Sequence, residues 1–286
     1  MPQHSPSSSA VLRTAPALPE RVERFLDLFA CGPGTVPALD AGAELAPGLE
    51  RMQTIADPFI CATVDDFLPA NLYQAVLRDW PEASSFQPVA TFATLVYGEP
   101  RSYFGSRMER TVENWAADAT PDAPTWQRLR NALCHPDFVR ALFTRFAETI
   151  DANLAGLDLD ELNAPNFKLY TNLDAGSDEA LGAHVDAPSK LLTIVVYLDL
   201  QGPELPDSAD RWGTALYEVG PGDHLPQHFT ANADRTAARN IQFAPNRAFI
   251  MPNSARALHG VVGGEAAVQR RTLMCGYWLT RTRRQD

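Results

Sequence analysis

The stretch 181–200 constrains the fold most, because it joins a tight His-x-Asp pair to an apolar, β-branched run. The pair is His184 and Asp186, and the run covers 191–200. Side chains two residues apart on an extended strand point to the same face, so the imidazole and the carboxylate should converge on one point. They supply two ligands of a 2-His-1-carboxylate metal site. The rest of the chain must provide the third ligand.

A histidine on a later strand meets this requirement. His259 follows an apolar strand at 247–251 and a Pro-Asn turn, and it lies in a second short strand at 257–262. An isolated histidine is more often a core or hydrogen-bonded residue. Here, however, the three ligand types arrive in order, on strands of one β-rich half. We therefore predict a metal site made of His184, Asp186 and His259, the ligand set of non-haem Fe(II) oxygenases.

Such a triad leaves coordination positions open, which a 2-oxo acid and O₂ would fill. The far carboxylate of that cosubstrate needs a cation, ideally one that binds it with two hydrogen bonds. The last strand, 270–279, opens with two arginines and a threonine. Strand alternation puts Arg270 and Thr272 on one face and Arg271 on the other, which is otherwise apolar. We predict Arg270 as the anchor, with Arg271 as the alternative.

The two halves of the chain differ in periodicity. Helical spacing of apolar residues occurs at 19–30, 69–80, 126–133 and 136–154. A strand is predicted at 92–97, and strand-like runs dominate after residue 160, at 167–171, 191–200, 213–219, 247–251, 257–262 and 270–279. Helices followed by many short strands predict a mainly β fold, a sandwich or barrel with buttressing N-terminal helices.

Composition narrows the partners and the compartment. A net charge of −11 argues against nucleic acid and against an anionic membrane surface. No apolar run approaches the roughly 20 residues of a membrane span, and the first 19 residues lack the apolar centre of a secretory signal. The four cysteines form no C-x-x-C pair. These features predict reduced thiols and a cytoplasmic location.

The segment 99–110 is polar and rich in arginine. It is either a solvated loop or a lid over the substrate. In the second interpretation, Arg101 or Arg107 binds a carboxylate of a small-molecule substrate.

Together these motifs resemble the non-haem Fe(II)/2-oxoglutarate-dependent dioxygenase superfamily, and within it the prolyl-4-hydroxylase-like branch. The matching elements are His184-x-Asp186, His259 followed by Gly-Val, and Arg270-x-Thr272. The sequence at 65–69 also looks like the family's opening strand–helix step, and that at 213–217 looks like its mid-barrel strand. The resemblance covers residues 55–280.

The resemblance implies a double-stranded β-helix (jelly roll), with Fe(II), 2-oxoglutarate and O₂ as cofactor and cosubstrates and with succinate and CO₂ as coproducts. It suggests Tyr170 as a hydrogen-bond donor to 2-oxoglutarate, and Lys168 on the same face as a weaker candidate. Because Asp186 is present, the chain looks like a hydroxylase and not a halogenase. The expected substrate is amino-acid-like or a secondary metabolite. The implied domains are an N-terminal tail and helix over 1–50 and the jelly-roll domain over 51–286.

Two other functions fit parts of the pattern. A cupin-type metal enzyme is also a jelly roll, but it would usually carry more histidines near the first one and would not need Arg270. A jelly-roll binding protein with a vestigial metal site is the other alternative. The sequence leaves the oligomeric state open.

Overall fold

The computed structural model describes residues 17–31, 44–89, 107–112, 123–155, 157, 164–175, 179–202, 212–223, 229–230, 235–262 and 268–280. The predicted strand at 92–97 and Arg101 lie outside these residues. Among the described residues, no helix has the length and apolar character needed to cross a membrane.

Two antiparallel sheets form the body of the protein. The strands are Gln53–Ile55 (β1), Cys61–Val64 (β2), Gln87–Pro88 (β3), Met108–Thr111 (β4), Ala164–Ala175 (β5), Glu179–His184 (β6), Lys190–Gln201 (β7), Thr214–Leu216 (β8), Phe229–Thr230 (β9), Arg239–Ile241 (β10), Ala248–Pro252 (β11), His259–Val262 (β12) and Gln269–Thr280 (β13). The larger sheet has the order β1-β2-β11-β7-β13-β5-β4-β3, and the smaller has the order β10-β8-β12-β6-β9.

The chain passes back and forth between these sheets. From β5 to β8, and again from β11 to β13, each strand lies in the opposite sheet from the strand before it. This alternation produces a double-stranded β-helix, so the predicted jelly roll is confirmed. The longest pairings run through β13, which lies between β5 and β7 in the larger sheet.

Helices cover the outer face of the larger sheet. They are Glu20–Cys31 (α1), Ala46–Glu50 (α2), Ala70–Arg78 (α3), Ala123–Cys134 (α4), Pro136–Arg145 (α5) and Ala147–Ala155 (α6), with a short 3₁₀ helix at Ala83–Ser85. Their apolar faces share one core with outward-facing side chains of the sheet, such as Leu169, Ile194 and Leu273. The predicted buttressing by N-terminal helices is confirmed.

The spacing over 136–154 predicted one helix, and the structure has two. The break is at Phe146, whose backbone leaves the helical region (φ −121°, ψ 20°). The N–H of Phe146 donates to the carbonyl of Phe143, three residues earlier, at 3.2 Å. The Phe146 side chain is buried in the helix-side core, and its burial stabilises this interruption.

The alternation of β13 separates two environments. Leu273, Cys275 and Tyr277 belong to the helix-side core. Arg270 lies on the opposite face, with its guanidinium carbon 5.3 Å from the ring centroid of Tyr197. Tyr197 belongs to a second core between the sheets. The inward face of β13 therefore lines the interior of the barrel.

Candidate metal centre and buried basic cluster

The two histidines predicted as ligands face each other across one strand pair. His184 ends β6, His259 begins β12, and the two residues are direct partners in the antiparallel ladder. Their ring centroids are 4.3 Å apart. Asp186 follows the end of β6, and one ligand atom from each of the three residues lies within 4.8 Å of the others. The structure thus brings together the donors of a 2-His-1-carboxylate site.

Backbone carbonyls orient both imidazoles. Nδ1 of His184 lies 2.9 Å from the carbonyl oxygen of Gly182, and Nδ1 of His259 lies 2.9 Å from that of Ala257. Because a carbonyl only accepts, each Nδ1 carries the proton and donates it. Each Nε2 therefore keeps its lone pair, which is the form that binds a metal.

Hydrogen bonds hold one of the two oxygens of the Asp186 carboxylate. Its Oδ2 accepts hydrogen bonds from Thr193 Oγ1 and Lys190 Nζ, each at 3.0 Å. Its Oδ1 instead faces Nε2 of His184 at 3.7 Å. Since Oδ2 is occupied, Oδ1 is the oxygen available to a metal, so a single-oxygen contact is favoured. The sequence analysis did not predict a role for Lys190. The signal in the sequence was a lysine at the start of an apolar strand. In the structure this lysine is buried, with 3% of its surface exposed.

Burial and charge set the protonation state of the triad. Burial lowers the pKa of His184 to about 3, with a further lowering by His259. Burial also lowers the pKa of His259. Burial alone would raise the pKa of Asp186, but the charges beside it, above all the Lys190 ammonium, outweigh burial and hold that pKa below its usual value. At neutral pH the site therefore contains two neutral imidazoles and one carboxylate.

A second polar cluster lies at the start of β13. Arg107 contacts the carboxylate of Asp174 through Nε (2.7 Å) and Nη2 (3.0 Å), and Arg270 contacts it through Nη1 (2.6 Å). Asp174 and Arg270 are fully buried, and Arg107 is 7% exposed. The guanidiniums lower the pKa of Asp174 although burial acts to raise it. Two guanidiniums against one carboxylate leave one positive charge.

This cluster also has hydrogen-bond donors without acceptors. Within the described residues, Nε and Nη2 of Arg270 and Oγ1 of Thr272 are buried and have no partner. Nε and Nη2 form the edge of a guanidinium that binds a carboxylate with two hydrogen bonds. An unsatisfied buried donor is costly, so this edge is suited to an anionic ligand.

The remaining predicted residues are placed as follows. Lys168 and Tyr170 share a strand face with Asp174 on β5, and Lys168 Nζ is 5.2 Å from the ring centroid of Trp278. Arg271 lies on the other face of β13, where its Nε is 3.2 Å from Asp199 Oδ1. The sequence suggested that Arg107 binds a substrate carboxylate; the carboxylate it contacts in the structure is that of Asp174.

A cavity of about 900 Å³ opens beside the turn that carries Asp186. Its walls come from the loop 56–60, the helix α6, the turn 185–188 and the segment 253–256. Asn253 supports this turn, because its Nδ2 donates to the carbonyls of Asp186 (3.3 Å) and Ala187 (2.7 Å). The size is typical of a small-molecule pocket.

No family model matches the sequence, and no curated protein matches it. Several solved structures are similar to this chain. A prolyl hydroxylase from Trichoplax adhaerens, in complex with a hypoxia inducible factor oxygen degradation domain peptide fragment, is 13% identical over 90% of this chain and 92% of that chain, with a TM-score of 0.48. A Pseudomonas putida prolyl-4-hydroxylase is 13% identical over 84% of this chain and 99% of that chain, with a TM-score of 0.45.

The non-heme alpha ketoglutarate dependent epimerase SnoN, from nogalamycin biosynthesis, is 16% identical over 84% of this chain and 83% of that chain, with a TM-score of 0.39. At these values the likenesses assign no function to the chain. The residues of the site carry the functional interpretation.

Proposed function

We propose that this protein is an Fe(II)- and 2-oxoglutarate-dependent oxygenase. It oxidises a C–H bond of a small molecule, with hydroxylation as the expected outcome, and releases succinate and CO₂. One observation carries the proposal: a barrel that contains a His-Asp-His triad also contains buried donors without acceptors on Arg270 and Thr272. A metal-binding protein without a dianionic cosubstrate would not need these buried donors on Arg270 and Thr272.

The triad fits Fe(II). Two neutral imidazoles and one carboxylate are the donors that a non-haem Fe(II) site uses, with positions left open for cosubstrates. His184, His259 and Oδ1 of Asp186 would hold the ion, and iron supplies the redox chemistry that activates O₂. The protein contributes fixed imidazole orientations and a carboxylate whose other oxygen is already hydrogen-bonded.

The basic cluster fits the distal carboxylate of 2-oxoglutarate. Arg270 would bind it through its free Nε–Nη2 edge, with Thr272 as a further donor. Asp174 holds the Nη1 side of the same guanidinium, so the free edge has a fixed orientation. A contact of Tyr170 with the cosubstrate was expected from the family resemblance and stays a prediction.

The experiment is 2-oxoglutarate turnover to succinate, measured with and without Fe(II), with and without candidate substrates. The proposal expects Fe(II)-dependent succinate formation that His184→Ala abolishes together with metal binding. A cupin-type enzyme would bind metal without consuming 2-oxoglutarate, and a binding protein with a vestigial site would do neither. Either result would overturn the proposal.

The anchor is tested by a matched pair of adjacent variants. Arg270→Gln should raise the KM for 2-oxoglutarate about 10- to 100-fold, because a charged hydrogen-bonded contact is lost. Arg271→Gln removes the same charge from the other face of the strand and should leave that KM unchanged. Equal effects of the two substitutions would assign the cosubstrate a different anchor.

The substrate is proposed to be a small molecule. We also propose that the enzyme acts in the cytoplasm. Cys61, Cys134 and Cys275 are free, buried thiols, as is typical of a reducing compartment.

A further inference from the structure

The two lysines of the chain lie close together in the structure. Of its 24 basic residues, two are lysines, Lys168 and Lys190, which leaves 22 arginines. Both ammonium groups lie near one aromatic ring: Lys168 Nζ is 5.2 Å and Lys190 Nζ is 5.4 Å from the ring centroid of Trp278. Lysine offers a compact, mobile charge where arginine offers a rigid fork, so the choice at these two positions points to a specific use.

The strand register locates this group beside the metal centre. Lys168 on β5 is the partner of Gly276 on β13, and Gly276 is the partner of Thr193 on β7. Thr193 Oγ1 is hydrogen-bonded to Asp186. Neighbouring strands are about 4.8 Å apart, so the backbone of Lys168 is about 10 Å from that of Thr193.

Gly276 provides the space for the indole. A Cβ at this position would lie 2.7 Å from Trp278 Nε1 and 3.0 Å from Lys190 Cε. The Trp278 ring and the Lys190 chain therefore lie directly over Gly276, on the same face as the other inward residues of β13.

The two lysines differ in what they contact. Lys190 Nζ is hydrogen-bonded to Asp186 Oδ2 at 3.0 Å. Within the described residues, Lys168 makes no hydrogen bond or ion pair. It contacts the Trp278 ring, and its positive charge acts to lower the pKa of the Glu109 carboxyl. Nε1 of Trp278 is buried and has no acceptor. An ammonium and an indole N–H, both donors, are thus available side by side.

The charges of the interior favour one more anion. Among the described residues of this region, four cations (Lys168, Lys190, Arg107 and Arg270) stand against three carboxylates (Glu109, Asp174 and Asp186), a difference of one positive charge. Under the function proposed above, Fe(II) and the 2-oxoglutarate dianion add charges that cancel. One positive charge is left for the substrate to balance.

The family resemblance suggested Lys168 as a weaker contact of 2-oxoglutarate. We infer instead that Lys168 and the indole N–H of Trp278 bind a carboxylate of the substrate, so that the enzyme acts on a small monocarboxylic acid. This inference rests on the proposed function and adds the substrate class. The acid group would sit on β5 and β13, and the carbon to be oxidised would face the triad.

The presence of two lysines makes binding measurable without turnover. Protein labelled with ¹³C at lysine Cε gives two lysine side-chain signals in a ¹³C NMR spectrum. The spectrum of Lys168→Met assigns them. The protein is loaded with diamagnetic Zn(II) and 2-oxoglutarate and titrated with the L-amino acids and with C3–C8 straight-chain carboxylic acids, each beside its primary amide. We expect at least one acid to shift the Lys168 signal, while its amide does not.

The same pairs are then tested for stimulation of Fe(II)-dependent succinate formation. For an acid that stimulates, Lys168→Met should raise its KM about 10- to 100-fold, and Lys168→Arg should restore part of the loss. The KM for 2-oxoglutarate and the affinity for metal should not change. Trp278→Phe, which keeps a ring but removes the N–H donor, should raise the KM for the acid by a smaller factor.

Several results would overturn the inference: no acid in the panel shifts the Lys168 signal, the amides act as well as the acids, or Lys168→Met raises the KM for 2-oxoglutarate instead. The proposed function is judged separately, by Fe(II)-dependent turnover of 2-oxoglutarate in the absence of any panel compound.

Discussion

The buried carboxylate of Asp174 gives the sharpest prediction about stability. It is fully buried and contacts two guanidiniums, those of Arg107 and Arg270, at 2.6–3.0 Å. The substitution Asp174→Asn keeps the shape and one acceptor oxygen but removes the charge. Breaking a buried ion pair from one side costs about 3–5 kcal/mol, because the partner charges stay buried without compensation.

We expect the lower end of that range, since the amide oxygen can still accept one hydrogen bond. A loss of about 3 kcal/mol corresponds to a fall in Tm of roughly 5 °C for a chain of this size. Thermal unfolding by circular dichroism at neutral pH measures it. The control is Asp151→Asn, which removes a carboxylate from a partly exposed pair with Arg21. Such pairs contribute about 0–1 kcal/mol, so its Tm should hardly change.

The pH dependence of the same comparison tests the cause. The folded-state pKa of Asp174 is lowered from 3.8, so its contribution is complete above the unfolded-state pKa and is lost as the pH falls through the lower folded-state value. The stability difference between wild type and Asp174→Asn should therefore be constant near neutral pH and shrink below about pH 4. A Tm for Asp174→Asn equal to that of Asp151→Asn, or a difference that does not shrink in acid, would refute the reasoning.

Two further predictions concern the metal centre. Lys190→Met should weaken Mn(II) binding about tenfold, because groups that hydrogen-bond to metal ligands typically contribute 10- to 100-fold to affinity. Titration calorimetry measures the affinity for Mn(II). An unchanged affinity would show that the Lys190 contact does not orient Asp186. The pKa values of His184 and His259 are lowered from 6.5, so the unfolded chain takes up protons below pH 6.5 that the folded chain does not. The metal-free protein should therefore lose about 1.4 kcal/mol of stability per pH unit and per histidine as the pH falls below 6.5. Urea unfolding at several pH values checks the slope, which His259→Asn should halve; an unchanged slope would contradict the assignment.

Local periodicity explains how much of this site could be predicted. The spacing of two between His184 and Asp186 implied a common direction, and the same alternation on β13 separated Arg270 and Thr272 from Arg271. These inferences hold because the side-chain period of a strand is set by the backbone alone. They needed no knowledge of which strands are neighbours. The apolar runs likewise predicted the mainly β fold and its longer helices, apart from the break at Phe146. They did not predict the short helix Ala46–Glu50.

Contacts between distant segments were decided by the tertiary structure. Asp174 meets Arg107 and Arg270 across 67 and 96 residues of chain, and no local pattern marks an aspartate in β5 as their shared partner. Strand register likewise brings Lys168 level with Gly276 and Thr193. The sequence by itself determined the metal-ligand motif, the face of each strand and the class of fold. Which buried charges meet, and which donors are left for a ligand, depended on the register of strands far apart in the chain, because a shift of one residue would turn every side chain to the opposite face.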